Sequence, residues 1–373
     1  MAKKAYIGID DVSRKIRKCY IGTDGIARKI RKAYIGIGGV ARPCWSGAEL
    51  VYYGTVTGLS TARSRLAATT VGSYALFGGG LSSDYTNVVD AYDESLTRST
   101  PTALSQRRSE LAATSIGVYA LFGGGGGDSG GTWATSNVVD AYNESLTRSI
   151  PTVLNAARNT LAATAVGEYA LFGGNYCVDA YNTSLTRSNP VTISATYNLA
   201  AASVGDYALF GGGNVSNNSI DTVFAYDKSL TQTQPTALSQ ARYSMAATSV
   251  GGYALFAGGG QSSSVTKSST VDAYDISLTR TVATELSVAR SNLSATTVGD
   301  YALFGGGTMP FSPRDSATVD AYDASQTRTI PPELNNARGE LVATSVGHFA
   351  LFGGGSSVDG NAKRSTVDAY TVT

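Results

Sequence analysis

Seven near-copies of one heptapeptide constrain this chain more than any other feature. "YALFGGG" or a close variant starts at Tyr74, Tyr119, Tyr169, Tyr207, Tyr253, Tyr301 and Phe349, at spacings of 45, 50, 38, 46, 48 and 48 residues. Self-similarity at such a period is the mark of stacked or radially repeated units, each too small to bury its own apolar face. Each unit reads as "AR..LAATSVG.YALFGGG", a variable segment, and then "VDAYD.SLTRS.PT.L". In the first copy, residues 66–71, 74–77, 88–92 and 96–99 are strand-length and bounded by Gly, Asp or Pro, with no helical period between them. The pattern predicts four strands per unit.

Strand counts indicate how such a ring shuts. "LAAT", "YALF" and "VDAY" segments occur seven times each, whereas "SLTR" and its variants occur six times, and the chain stops at Thr373 just after the last "VDAY". Aligning Leu59 with Leu104 lays "LVYYGTVTGLSTAR" over "LTRSTPTALSQRR". Residues 50–57 are therefore expected to pair with residues 367–370, three strands from the C-terminus and one from the N-terminal side, which removes an open sheet edge.

Four-stranded units at this period are blades of a β-propeller. The double glycine after an apolar strand (Gly78-Gly79, Gly123-Gly124), the tyrosine of "VDAY" (Tyr92, Tyr142, Tyr181, Tyr226, Tyr274, Tyr322, Tyr370) and an arginine three residues before the inner strand (Arg63, Arg108, Arg158, Arg242, Arg290, Arg338) resemble the kelch family. The resemblance spans residues 47–373 and implies an all-β, seven-bladed kelch-type propeller. The chain departs from that pattern in lacking a fourth-strand tryptophan and in placing Thr196 where the fourth copy should have arginine, which lets the fourth blade sit less tightly. Residues present in six or seven copies are scaffold: small side chains around a channel, glycines where a Cβ would collide, Phe and Tyr between blades, and an arginine donating to backbone or to the Asp of "VDAY".

The first 46 residues form a separate module. They hold 11 Lys and Arg against 3 Asp, whereas the remaining 327 hold 18 against 25 Asp and Glu, so a net +8 stands beside a net −7. A second repeat, of period 14, runs through Ala5-Tyr6-Ile7-Gly8, Cys19-Tyr20-Ile21-Gly22 and Ala33-Tyr34-Ile35-Gly36, with turns at Asp10-Asp11, Asp24-Gly25 and Gly38-Gly39. Such turns between alternating segments predict β-hairpins. Ile7, Ile9, Val12 and Ile16 are expected on one face, and Lys15 and Arg17, like Lys29 and Arg31, on the other. A sheet this small has no core of its own, so the module is expected to dock and to oligomerise. Cations recurring at strand period beside apolar residues favour docking over a nucleic-acid arm.

This basic repeat resembles those of virion and tail-associated proteins in phages and prophages of Gram-positive bacteria. The resemblance implies a structural protein that meets other virion proteins through residues 1–46 and a host surface glycan or protein through its propeller. With no secretory h-region and no apolar run of membrane-spanning length, it is expected to be made in the cytoplasm and to reside in the virion. An intracellular kelch-type adaptor and a glycan-active enzyme are the alternatives.

Catalytic inventory is thin. His348 is the only histidine and falls in a predicted turn, Cys19, Cys44 and Cys177 form no metal-ligating pair, and "GGGGGDSGG" lacks the GK[ST] of a phosphate loop. No cofactor and no metal site is implied. Glu110 and Glu340, just before inner strands, are the one pair of acids that could serve glycoside hydrolysis. Recognition is instead expected in the segments between the second and third strands, which differ from copy to copy on a uniform scaffold. Tyr85, Trp133, Tyr176 and Phe311 are candidate stacking platforms, and Asp128, Asn217, Lys267, Arg314, Asp315 and Lys363 candidate polar readers.

Overall fold

The computed structural model describes residues 49–129, 132–194, 197–261, 266–357 and 362–373, together with the backbone of six strands nearer the N-terminus. The chain divides into two compact units, residues 1–51 with 371–373, and residues 52–370. Among the described residues every regular element is a strand.

In the first unit the period-14 repeat gives three separate two-stranded antiparallel hairpins. Tyr6–Ile9 pairs with Val12–Lys15, Cys19–Thr23 with Ile26–Ile30, and Lys32–Ile37 with Val40–Ser46. Each pair flanks one of the three predicted turns, whose own residues lie outside the described ones. The predicted face assignments, including Ile16 and Arg17, lie outside the described residues.

The second unit is a seven-bladed propeller. Blade 1 is built from Ala67–Val71, Tyr74–Gly78, Val89–Asp93 and Arg98–Ser99, in that order from the channel outward and antiparallel throughout. Five more blades repeat the order, and the seventh runs Val342–Val346, Phe349–Gly353, Val367–Val372 and then Leu50–Val56. The three-plus-one closure predicted from the strand count is thus present. Within it Tyr52 donates its hydroxyl to Asp368 Oδ1 at 2.7 Å, at the place where other blades set an arginine against the same aspartate.

The outer strands are shorter than predicted: in blade 1 only Arg98–Ser99 is extended, not 96–99. Asp93 Oδ1 accepts the backbone N–H groups of Ser95 and Thr97, both at 2.9 Å, and Leu96 takes a left-handed φ of 61°. A side chain that satisfies its own downstream backbone in this way turns the chain before the ladder can resume.

The core lies between blades. One cluster joins Val71, Leu76 and Val89 of blade 1 to Ala120, Phe122 and Tyr142 of blade 2, and another joins Phe77 and Tyr92 to Leu351 and Val367 across the closure. Each "VDAY" tyrosine is buried and donates to a carbonyl just beyond the preceding blade's outer strand, at 2.6–2.9 Å. Glycine is demanded at Gly79, whose φ is 69° and whose added Cβ would lie 2.6 Å from the Arg108 carbonyl oxygen of the next blade.

The repeated arginine is structural, as the sequence indicated. In five blades its guanidinium meets the buried "VDAY" aspartate at 2.5–2.8 Å, and in blade 5 Arg242 meets Asp272. Burial lowers the pKa of Arg108, and Asp140 opposes that shift. Blade 4 solves the same position without charge. Where blades 1, 2, 3, 5 and 6 have arginine, aspartate and, in the outer strand, a second arginine, it has Thr196, Phe224 and Gln232. Phe224 is only 4% exposed and lies in one cluster with Phe210 and Tyr226, whereas Thr196, on which the expectation of a looser fourth blade turned, lies outside the described residues. With neither the arginine nor the aspartate at these two positions, blade 4 leaves neither of them as an orphaned buried charge.

Candidate functional site

Two sets of connections share one face of the disc. The turns that enter each inner strand bridge to the segments between second and third strands, as Ser64 with Leu81, Ser109 with Gly126, Tyr243 with Gly260 and Gly339 with Ser356. This face carries all ten residues singled out as recognition candidates. The opposite face carries the short "VG.Y" and "YD.S" turns.

The variable segments differ in backbone as well as in composition. Blade 2 raises a hairpin, Gly126–Ser129 with Thr132–Thr135, in which Trp133 lies over Gly126 and remains 53% exposed. Blade 3 turns in two residues at Asn175 and Tyr176, both at positive φ, with Tyr176 61% exposed. Blade 4 reverses at Ser216 and Asn217, and Phe311 of blade 6 is 75% exposed. Tyr85 is half-buried, whereas Asp128, Asn217 and Arg314 are exposed. Lys267 and Arg314, from adjacent blades, interact as like charges, and burial and then Arg314 lower the Lys267 pKa. Asp315 does not belong with the readers. It is 6% exposed and accepts the Ser357 hydroxyl at 2.7 Å, stitching the loop of blade 6 to that of blade 7. Lys363 reaches inward and donates to Ser64 Oγ at 3.1 Å.

Inside this ring of loops the channel opens into a cavity of about 520 Å³, lined at its rim by Arg65, Glu110, Thr160, Asn198, Ser244, Asn292 and Glu340. These seven occupy one repeat position. Every one has a left-handed φ, between 52° and 57°. Their backbones form a closed circle, each N–H donating to the carbonyl of its counterpart in the preceding blade at 2.9–3.1 Å, with Arg65 completing it on Glu340. Below the rim the channel narrows to a collar of small residues that includes Ala68, Ala113, Ala163, Ala201 and Ala247.

Sequence reasoning isolated Glu110 and Glu340 here but missed what joins them. Arg65 lies between the two acids, 2.9 Å from Glu110 Oε1 and 2.8 Å from Glu340 Oε1. Asn159 donates to the other oxygen of Glu110 at 2.6 Å, and Ser64 and Ser356 to that of Glu340 at 3.1 and 3.0 Å. Burial opposes the charge on Arg65, but Glu340 and then Glu110 outweigh it and hold the guanidinium pKa above its ordinary value. Both carboxylates thus serve as hydrogen-bonded counter-ions. The overlooked signal was the rim itself: within the monotonous "R..LAAT" pattern, the residue before the apolar Leu or Met takes five different identities in seven copies, all of them polar or charged. His348 stacks beside Phe349, ring centroids 4.2 Å apart, in an opposite-face turn.

No protein-family model matches the sequence, and no curated protein does. Among solved structures, the one titled "Structure of YjhT" superposes with a TM-score of 0.59 at 14% identity, covering 74% of this chain and 99% of its own. The likeness is one of fold. This chain is a seven-bladed β-propeller. A fold shared by many functions leaves activity to be argued from the site. Among the described residues no helix is long and apolar enough to cross a membrane, and no cluster of His, Cys, Asp or Glu could hold a metal ion.

Proposed function

We propose that this chain is a virion- or tail-associated structural protein of a phage or prophage, with residues 1–46 as its attachment module and a kelch-type propeller as its binding head. One observation carries the reading: seven near-identical blades raise seven dissimilar connections on one face, with Trp133, Tyr176 and Phe311 more than half exposed there. Large aromatics left in water on otherwise polar loops supply contact area at little conformational cost. The partner for that face is a host surface glycan or protein, or a neighbouring virion protein. The three basic hairpins support docking to other virion proteins and self-association through the N-terminal module. The ion pairs that tie Glu110 and Glu340 to Arg65 favour a binding protein over a glycoside hydrolase.

Sedimentation with particles tests the assignment. The full chain should travel with purified phage or induced prophage particles, and a chain lacking residues 1–46 should remain in the supernatant while still folded. Absence of the full chain from particles, or equal incorporation of the truncated one, would overturn it.

A further inference from the structure

We propose that the channel mouth is itself a binding site, shaped for a neutral polyhydroxylated ligand of one or two saccharide units, an assignment that rests on the loop-bearing face being the binding face. The cavity there, about 520 Å³, falls within the range of small-ligand sites. Its wall is uneven in a way the sevenfold scaffold does not require. Arg65, Glu110 and Glu340, contributed by three consecutive blades, satisfy one another, and Lys363 adds a second cation through Ser64. That half is charge-balanced.

An anionic ligand would have to displace a carboxylate to reach Arg65, and a cation would meet Arg65 between the two acids. Hydroxyl groups face neither obstacle. Glu110 and Glu340 are each 24% exposed and can accept further hydrogen bonds from them. The other half of the wall is neutral. The side chains of Asn198 and Asn292 make one long contact each, 3.5 and 3.4 Å, through the amide nitrogen. With Ser244 beside them, they can donate to and accept from ring and exocyclic oxygens.

The backbone fixes where these side chains stand. A φ near +55° suits glycine, yet none of the seven positions has glycine, and one has the β-branched Thr160. Such conformations cost free energy and concentrate where a site is pre-organised. Because the rim N–H groups are consumed in the closed hydrogen-bonded circle, recognition falls to the side chains, held on a backbone that needs little reordering on binding.

Glycine variants separate a binding role from a structural one. Asn292→Gly and Ser244→Gly each strip the polar group and relieve the backbone, so both should melt no lower than the wild-type chain. The full chain is titrated calorimetrically with glucose, galactose, N-acetylglucosamine, lactose and cellobiose, with N-acetylneuraminic acid as the charged control. The expected result is binding of at least one neutral sugar, weakened about tenfold by either variant and unchanged by Trp133→Ala. No binding by any neutral sugar, preference for the acidic control, affinity indifferent to both variants, or a lowered melting temperature in both would each overturn the proposal. Particle association would survive such a failure, since it depends on residues 1–46.

Discussion

Replacing Asp140 by Ala should destabilise the propeller severely, and copying blade 4 into the same place should restore most of the loss. Asp140 is fully buried and holds Arg108, 1% exposed, at 2.6 Å, while its other oxygen accepts the Ser105 N–H at 2.9 Å. Without it, Arg108 retains only the carbonyls of Val138 and Phe122, at 2.6 and 3.1 Å, for a charge that remains inside the blade. Removing one partner of a buried pair costs about 3–5 kcal/mol. Arg148, 24% exposed and 3.7 Å from Asp140, can turn to solvent and adds little. The triple change Arg108→Thr, Asp140→Phe and Arg148→Gln reproduces the residues of blade 4, where Phe224 is buried without any charge. It should recover at least half of the loss, because exchanging a buried pair for apolar packing is often close to neutral. Equilibrium unfolding in guanidinium, followed by far-UV circular dichroism, measures both. A loss below about 1 kcal/mol for the single change, or a triple variant no more stable than the single one, would refute the reasoning.

Other expectations follow from the same geometry. Tyr52→Phe removes the closure bond to Asp368 and should cost about 1 kcal/mol in guanidinium unfolding, whereas a chain beginning at residue 57 should lose the outer strand of blade 7 and aggregate or fail to fold in size-exclusion chromatography. Gly79→Ala puts a Cβ 2.6 Å from the Arg108 carbonyl at a φ of 69° and should cost at least about 1–3 kcal/mol by the same unfolding assay. Trp133→Ala with Phe311→Ala should leave the melting temperature within about 2 °C of wild type, since both side chains are mostly in water.

Much of this architecture was legible because repetition multiplies weak signals. A single "YALF" segment could be strand or helix, but seven copies with a missing outer strand define both the blade and its closure. The arginine–aspartate pairs were readable for the same reason. The outer strands were over-read because a side chain capping its own backbone, as Asp93 does for Ser95 and Thr97, competes locally with the ladder and leaves no mark in hydrophobic periodicity. Phe224 was visible in "VFAY", and only its distance of 28 residues from Thr196 hid the coupled loss of the pair. The channel rim was the least legible element. Its seven members come from seven repeats, and nothing local shows that Arg65 closes a circle onto Glu340, 275 residues away.

Retention on host cells tests the central claim, that the loop-bearing face is the binding face. The full chain, the Trp133→Ala/Phe311→Ala variant and a Val118→Ser/Ile276→Ser variant are compared on cells of the bacterium that the phage infects or that carries the prophage. Val118 and Ile276 are 49% and 61% exposed and lie on the opposite face, so they control for the loss of any exposed apolar group. The wild-type chain and the opposite-face variant should be retained alike and the loop-face variant washed away. Equal retention of all three, or loss confined to the Val118/Ile276 variant, would contradict the account.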